Sequence, residues 1–184
     1  ITAGVSIAFA LPSMGIIVTL IGYFGLLFLT AKLRNSAWGI ASVFALTGFM
    51  GLTLGPIISR YLGMPGGSGI VMSAMGLTAV IFMGLSAYVL ISKRDFSFMG
   101  GFLAVGVLVA FVAGLGAMFF EVPALSIAVS AAFVLLMSGM ILFETSNIIR
   151  GGETNYIMAT VSLYITIFNL FTSLLQILGF MEKE

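Results

Sequence analysis

Residues 123–143 read PALSIAVSAAFVLLMSGMILF, and this uncharged run decides the fold class of the chain. A helix needs about 20 consecutive apolar residues to cross the hydrocarbon core of a bilayer. The run is followed directly by Glu144, which is the only acid between Glu121 and Glu153. An ionisable side chain at membrane depth is costly, so it tends to be retained for a reason. Glu144 is therefore the first candidate for a functional residue.

The composition of the whole chain indicates a membrane protein. Hydrophobic residues make up 61% of the 184 residues, charged residues only 7%, and the mean hydropathy is +1.26. Soluble domains contain about 25% charged residues. A transmembrane β-barrel would need short alternating strands, whereas runs such as 102–112 do not alternate. We therefore expect an all-α integral membrane protein with the lipid bilayer as its surroundings.

Charged residues and turn signals divide the chain into seven predicted spans. The turn signal Pro12-Ser13 leaves only residues 1–11 before it, and we interpret these as the end of a first helix that begins before Ile1. We expect Pro56 to end or kink the third span, because proline cannot donate a helical hydrogen bond. The seven spans form one transmembrane domain and cover residues 1–11 (partial), 14–31, 37–58, 69–92, 97–119, 124–145 and 155–180.

The basic residues of the loops predict the orientation. One set of alternate loops carries five of them, and the other side carries Arg60 and Lys183. Lys and Arg accumulate on the cytoplasmic side of membrane proteins, so the N-terminus should be cytoplasmic and the C-terminus outside. The five are Lys32, Arg34, Lys93, Arg94 and Arg150.

Small residues recur at helical spacing in two spans. Gly51 and Gly55 share one face of the third span, and Gly106, Ala110 and Gly114 share one face of the fifth. Lipid provides no hydrophobic drive between helices, so small residues that let backbones approach hold such bundles together. We interpret both stripes as close packing within one monomer, with a homodimer contact through Gly51 and Gly55 as the alternative.

The last span carries a polar stripe, defined as Ser162, Thr166, Asn169, Ser173 and Gln176. Their spacing of 4, 3, 4 and 3 places all five on one helix face. Polar side chains in hydrocarbon need partners or water, so the stripe should face the bundle interior. It serves either as interhelical hydrogen bonding or as the lining of a polar path.

Several classes of site are excluded by composition. The sequence has no His and no Cys, and Asp95 is its only Asp. A Ser-His-Asp triad, a His-metal site and an aspartyl dyad are therefore closed off. Basic residues do not cluster, so a nucleic-acid partner is not expected. We predict a protein that is not an enzyme and has no cofactor and no confident metal site.

Two interpretations of Glu144 remain open. It is either a carboxylate at the membrane interface, solvated or paired with Arg150 or a loop lysine, or a proton- or cation-responsive acid that faces Thr166 and Asn169. The candidate pH-sensing or polar-core set is therefore Glu144, Ser162, Thr166, Asn169 and Arg150.

Five motifs together resemble the Bax inhibitor-1 (TMBIM) family over essentially the whole chain. They are TGFMGLTLGPI at 47–57, SAYVL at 86–90, KRDFSFMGG at 93–101, SGMILFETSNIIRGGETNYI at 138–157 and ATVSLYITIFNLF at 159–171. The second half resembles in particular the YccA-type proteins of bacterial inner membranes. The resemblance implies a bundle of seven transmembrane helices with the seventh at its centre, and a cytoplasmic tail before Ile1.

The resemblance also implies two functions. YccA-type members bind and restrain the membrane-anchored AAA+ protease FtsH in membrane-protein quality control, which predicts FtsH as partner, reached through lateral helix contacts and the tail. Other members are pH-sensitive calcium leak channels that use one acid on helix six and one on helix seven, which predicts Ca²⁺ or H⁺ as the ion. Glu144 aligns with the first acid, but Thr166 stands at the second and cannot ionise. The FtsH modulator is therefore the main prediction and the leak channel the alternative.

Overall fold

The computed structural model describes residues 2–8 and 15–182, and within these ranges the chain forms seven α-helices. The predicted turn at Pro12-Ser13 lies outside the described residues. One turn of 3-10 helix, Ser97–Met99, precedes the fifth helix. The helices are α1 (Thr2–Ala8), α2 (Ile16–Leu33), α3 (Trp38–Leu62), α4 (Gly67–Ser92), α5 (Gly100–Phe119), α6 (Pro123–Ile149) and α7 (Tyr156–Met181).

Five of these helices, α3 to α7, are long and apolar enough to cross a membrane. The helix α2 is apolar but shorter, and the described part of α1 has seven residues. The chain is therefore a helical, multi-pass membrane protein, and a count of seven spans stays a prediction. Both α3 and α6 extend four residues beyond their predicted ends, to Leu62 and Ile149.

The described chain forms two compact units, the first of which comprises Ile1–Ser68 and Asn155–Val161. In this unit α1 packs on the small-residue face of α3. A Cβ at Gly51 would overlap the side chain of Thr2, and one at Gly55 would overlap that of Ser6. The glycines thus allow the close backbone approach on which membrane helix packing depends. Because α1 occupies this face, close packing within one chain is the interpretation that fits.

The helix α3 continues through Pro56 to Leu62, so of the two predicted effects of this proline, an end or a kink, the helix end does not occur. Proline has no N–H to donate to the carbonyl four residues earlier, which leaves the carbonyl oxygen of Leu52 without its helical donor. In this structure Ser6 Oγ donates to Leu52 O at 3.1 Å. A backbone carbonyl at membrane depth must be satisfied within the protein. The hydroxyl from α1 meets that requirement and allows the helix to continue.

The same unit contains the start of α7. Asn155 Oδ1 accepts hydrogen bonds from the N–H groups of Ile157 and Met158, both at 3.1 Å. An asparagine in this position satisfies the free N–H groups of a helix start. Its Nδ2 donates to Arg34 O at 3.0 Å and to Asn35 Oδ1 at 2.9 Å. Asn155 therefore caps α7 and ties it to the loop between α2 and α3.

The second unit comprises Gly69–Thr154 and Ser162–Glu184. Its helices α5 and α6 pack closely against each other, and each of them contributes a glycine to the contact. A Cβ at Gly106 would meet Leu136 at 2.6 Å, and one at Gly139 would meet Leu103 at 2.8 Å. Ala110, which lies between Gly106 and Gly114 on the predicted stripe, is buried. The small residues of α5 thus face α6.

The helix α6 ends at a turn formed by Gly151 and Gly152. Gly151 has φ +73°, a left-handed conformation that glycine adopts without strain. Its N–H donates to Ile148 O at 3.2 Å, and that of Gly152 donates to Asn147 O at 2.9 Å. This pair of bonds is the Schellman motif, which satisfies the last carbonyls of a helix.

Candidate functional site

Glu144 lies inside α6 rather than at its end. The helix continues for more than one turn beyond it, to Ile149, and the side chain is only 5% exposed. The helix thus extends beyond the predicted end of the sixth span at residue 145, because the polar residues that follow Glu144 remain helical. Thr145 and Ser146, directly after it, are also buried. Glu144 is a buried acid and not a solvated interfacial carboxylate.

Two hydroxyls of α7 hold one oxygen of this acid. Ser162 Oγ donates to Glu144 Oε1, and Thr166 Oγ1 donates to the same oxygen at 3.0 Å. Residues four apart lie one above the other on a helix, which explains why the two reach a single oxygen. These three residues, called here the acid cluster, bring together three members of the predicted set.

The other oxygen of Glu144 is buried and has no hydrogen-bond partner within residues 2–8 and 15–182. The two hydroxyls that bind the carboxyl group are uncharged, so no cation offsets a negative charge in these bonds. Leaving a charge buried and uncompensated is strongly unfavourable. A carboxylic acid carries its proton on one oxygen, and Oε2 is the oxygen free to carry it.

Arg150 does not join the acid cluster. Its Nη2 donates to Lys93 O at 2.6 Å, and its Nε lies 3.8 Å from Asp95 Oδ1. Asp95 Oδ1 also accepts the backbone N–H of Ser97 at 2.8 Å. The side-chain and backbone hydrogen bonds from Ser97 lower the pKa of Asp95 below its usual value, and the charge of Arg150 adds to this. Arg150 therefore stabilises the loop between α4 and α5.

The residues that follow Glu144 fasten the same loop to α6. Ser146 Oγ accepts the N–H of Phe96 at 3.1 Å and donates to Arg94 O at 3.3 Å. Thr145 Oγ1 lies 3.4 Å from Ser86 Oγ of α4, within hydrogen-bond distance. One turn of α6 thus carries the acid and also anchors its surroundings. The sequence does not indicate that Ser86 or the loop backbone contacts this turn of α6.

Asn169 does not hydrogen-bond to Glu144 within the described residues. Its Nδ2 donates to Ile165 O within α7 at 2.9 Å. The polar stripe is therefore divided: Ser162 and Thr166 bind the acid, while Asn169, Ser173 and Gln176 line a cavity between α5, α6 and α7. The cavity measures about 450 Å³.

Two serines of α6 form the opposite polar wall of this cavity. Ser130 Oγ donates to Gln176 Oε1 at 2.8 Å, and Gln176 Nε2 donates to Ser126 Oγ. Ser126 and Ser130 are four residues apart in the run 123–143, so their shared helix face was readable from the sequence. Their partner on α7 was not. Hydrogen bonds between the helices and a polar lining are therefore both present in the second unit.

The titratable side chains that the structure describes do not form a metal site of the usual kind. Among the described residues, no group of three or more His, Cys, Asp or Glu side chains could hold a metal ion. The acid cluster offers one carboxyl group and two hydroxyls, which is fewer than the six to eight oxygens that Ca²⁺ takes.

A family model described as inhibitor of apoptosis-promoting Bax1 matches residues 1–183. YccA of Escherichia coli, named a modulator of FtsH protease, is 53% identical over 184 residues, which is 100% of this chain and 84% of YccA. In a second strain of that species the relative of the same identity is named an inner membrane protein.

Two further relatives extend the comparison. An uncharacterized protein of Pseudomonas aeruginosa is 56% identical over 179 residues, covering 97% of this chain and 81% of its own length. An uncharacterized membrane protein of Vibrio cholerae is 45% identical over 173 residues, covering 94% and 78%. With the motifs at 47–57 and 138–157, these matches show that the chain belongs to the Bax inhibitor-1 family.

Proposed function

We propose that this protein is a non-enzymatic modulator of an FtsH-type protease in the bacterial inner membrane. The observation that carries the proposal is the 53% identity, over all 184 residues, to a protein named for that role. Five helices long enough to span the bilayer suit a partner that is itself anchored in the membrane. The contact would then include lateral packing between helices.

Co-purification of the full-length protein with the FtsH of its own host tests the proposal. We expect tagged protein to retain FtsH in mild detergent, and its overproduction to slow the turnover of FtsH substrates. An unrelated multi-pass protein of similar size serves as the negative control. Failure to retain FtsH, together with unchanged substrate turnover, would refute the proposal.

The Glu144→Gln variant separates this function from any role of the acid. Glutamine has the same shape and can still accept the hydroxyls of Ser162 and Thr166. If modulation depends on lateral contacts, the variant should retain FtsH as well as the parent does. If Glu144→Gln did not retain FtsH while the parent did, the acid cluster would instead take part in the interaction with FtsH.

The proposed topology has α7 at the centre of the bundle, the N-terminus in the cytoplasm and the C-terminus in the periplasm. Of the five long helices, α7 has the largest buried share, 39% of its most apolar window against 17–28% for the others. Reporter fusions after Glu121 and after Met181 should both report the periplasm, and a fusion after Glu153 the cytoplasm. The opposite pattern would reverse the orientation.

The leak channel ranks second because the acid cluster has one carboxyl group where the resemblance implies two. Liposome calcium flux tests it directly. If the pathway exists, flux through Glu144→Gln should fall and flux through Thr166→Asp should gain pH dependence, since a second acid is restored. Equal flux in the parent and both variants, at acidic and alkaline pH, would exclude it.

A further inference from the structure

The cavity between α5, α6 and α7 is lined by side chains that the proposed function does not use. Six polar residues contribute hydroxyl and amide groups, and none of the ten described lining residues is charged. The polar six are Ser126, Ser130, Asn169, Thr172, Ser173 and Gln176.

The cavity begins near one surface of the membrane. Met118 lies at the end of α5, and Ser126 lies in the first turn of α6. Among the lining residues of α7, Asn169 is the one farthest from the end of the helix. The distance from Asn169 to Met181 along the helix axis is about 18 Å, at 1.5 Å per residue. Half of a hydrocarbon core is about 15 Å. The cavity therefore reaches the depth of the bilayer centre from the side where α7 ends.

Its polar groups retain hydrogen-bonding capacity. Gln176 and Ser130 use their mutual bond, but the amide oxygen of Asn169 and the second N–H of Gln176 have bonding sites left over. A polar cavity that offers a water molecule two to four partners is filled rather than empty. At about 30 Å³ per molecule, the volume has room for on the order of ten waters.

We propose that this cavity is a hydrated vestibule, a site for clustered water and for small, uncharged, hydrogen-bonding solutes. The absence of charge among its lining residues removes the attraction that an anion or a divalent cation would need. It opens at the membrane surface where α5 ends and α6 begins, and Asn169 lies at its inner end. Asn169 is one helical turn from Thr166, so the vestibule ends next to the acid cluster. This inference does not depend on FtsH.

Cysteine accessibility tests the proposal, and the 184-residue sequence contains no cysteine that would interfere. Single cysteines replace Ser173 on α7 and Ser130 on α6, the two walls of the vestibule. The controls are Leu108→Cys on the 62% exposed, lipid-facing side of α5 and Leu170→Cys, which is fully buried next to Asn169. A small, membrane-impermeant methanethiosulfonate reagent is applied to membranes from either side.

We expect Ser173→Cys and Ser130→Cys to react at least about 10-fold faster than the two controls, since only a hydrated thiol forms the reactive thiolate. Reaction should occur from one side of the membrane only. Rates at Ser173→Cys and Ser130→Cys no greater than at Leu108→Cys would overturn the proposal, provided that all four proteins extract and migrate like the parent.

A second pair of variants tests whether the reagent reaches position 173 through the volume of the cavity. Gly114 lines the cavity, whereas a Cβ at Gly116 of the same helix meets no atom within 4 Å. In the Ser173→Cys background, Gly114→Leu should slow labelling by filling the vestibule, and Gly116→Leu should leave it unchanged. Equal labelling in both double variants would show that the reagent does not pass through this cavity, and would refute the proposal.

Discussion

Thr166 Oγ1 donates a hydrogen bond to Glu144 Oε1 at 3.0 Å, so a neutral hydroxyl of α7 meets the buried acid of α6. Ser162, one turn earlier, donates to the same oxygen. The position at which the resemblance implies a second acid therefore acts here as a hydrogen-bond donor. The acid cluster joins the two helices through two hydrogen bonds, which both run from a neutral hydroxyl of α7 to the same carboxyl oxygen of α6.

Removal of the Thr166 hydroxyl should destabilise the second unit. Thr166→Val keeps the volume but deletes the donor, and hydrogen bonds between membrane helices contribute roughly 0.6–2 kcal/mol. We expect the free energy of unfolding in an SDS titration to fall by about 1 kcal/mol. Thr166→Ser, which keeps the hydroxyl, is the matched control and should lie closer to the parent. Equal stability of the two variants would mean that the bond contributes nothing.

The sequence predicted the face of α7 but not the division of that face. The spacing of the polar stripe placed Ser162, Thr166 and Asn169 together, and the structure brings the first two to Glu144. Asn169 belongs instead to the cavity, whose lining includes Ser130 and Phe133 of α6 but not the acid. A helix period gives direction around one axis, and it does not give the register of one helix against another.

The helix ends show a similar limit. The turn after α6 can be read from the sequence, because a Gly-Gly pair marks a turn and Gly151 and Gly152 complete a local motif. Pro56 could not be interpreted in the same way, because its effect depends on Ser6, which lies 46 residues from Leu52 in the sequence. The sequence likewise does not indicate that Asp95 pairs with Arg150. Contacts between distant segments decide these cases.

A double-mutant cycle should reveal the coupling between Ser6 and Pro56. Ser6→Ala leaves Leu52 O without a donor, and an unsatisfied buried group costs about 1–3 kcal/mol. In the Pro56→Ala background the helix regains its own N–H donor at that position, so the same Ser6→Ala change should cost much less. Unfolding of all four proteins is measured in detergent. Additive effects, within about 0.5 kcal/mol, would show that the hydroxyl does not replace the missing helical bond.

Acid should weaken the loop between α4 and α5 through Asp95. The pKa of Asp95 is lower in the folded protein than in the unfolded chain, so its contribution is present in full above the usual Asp pKa. It is lost as the pH falls through the lowered value. We expect Asp95→Asn to remove this acid-dependent loss and to make the low-pH limb of the stability profile shallower. The effect should be small because the Asp95 side chain is 56% exposed.

The pH dependence of the stability of Ser97→Ala shows how much the Ser97 hydroxyl contributes to the lowered pKa of Asp95. The backbone N–H of Ser97 stays in place, but the hydroxyl that contributes most to the lowered pKa of Asp95 is removed. Its acid limb should therefore lie between those of the parent and Asp95→Asn. Identical limbs in the parent and Asp95→Asn would show that Asp95 does not govern the acid response.

Close packing of α1 on α3 predicts a position-specific response to added bulk. A Cβ at Gly55 would overlap Ser6 and lie 3.2 Å from Ala3 O, whereas one at Gly25 of α2 meets no atom within 4 Å. Gly55→Leu must therefore displace α1, at a cost of about 1–3 kcal/mol for overpacking, and it also breaks the bond from Ser6 to Leu52. Gly25→Leu adds the same side chain to an open face and should change the unfolding free energy by less than about 0.5 kcal/mol. Comparable losses in both variants would indicate that the cost comes from replacing glycine in a helix, and that the contact between α1 and α3 does not hold this unit together.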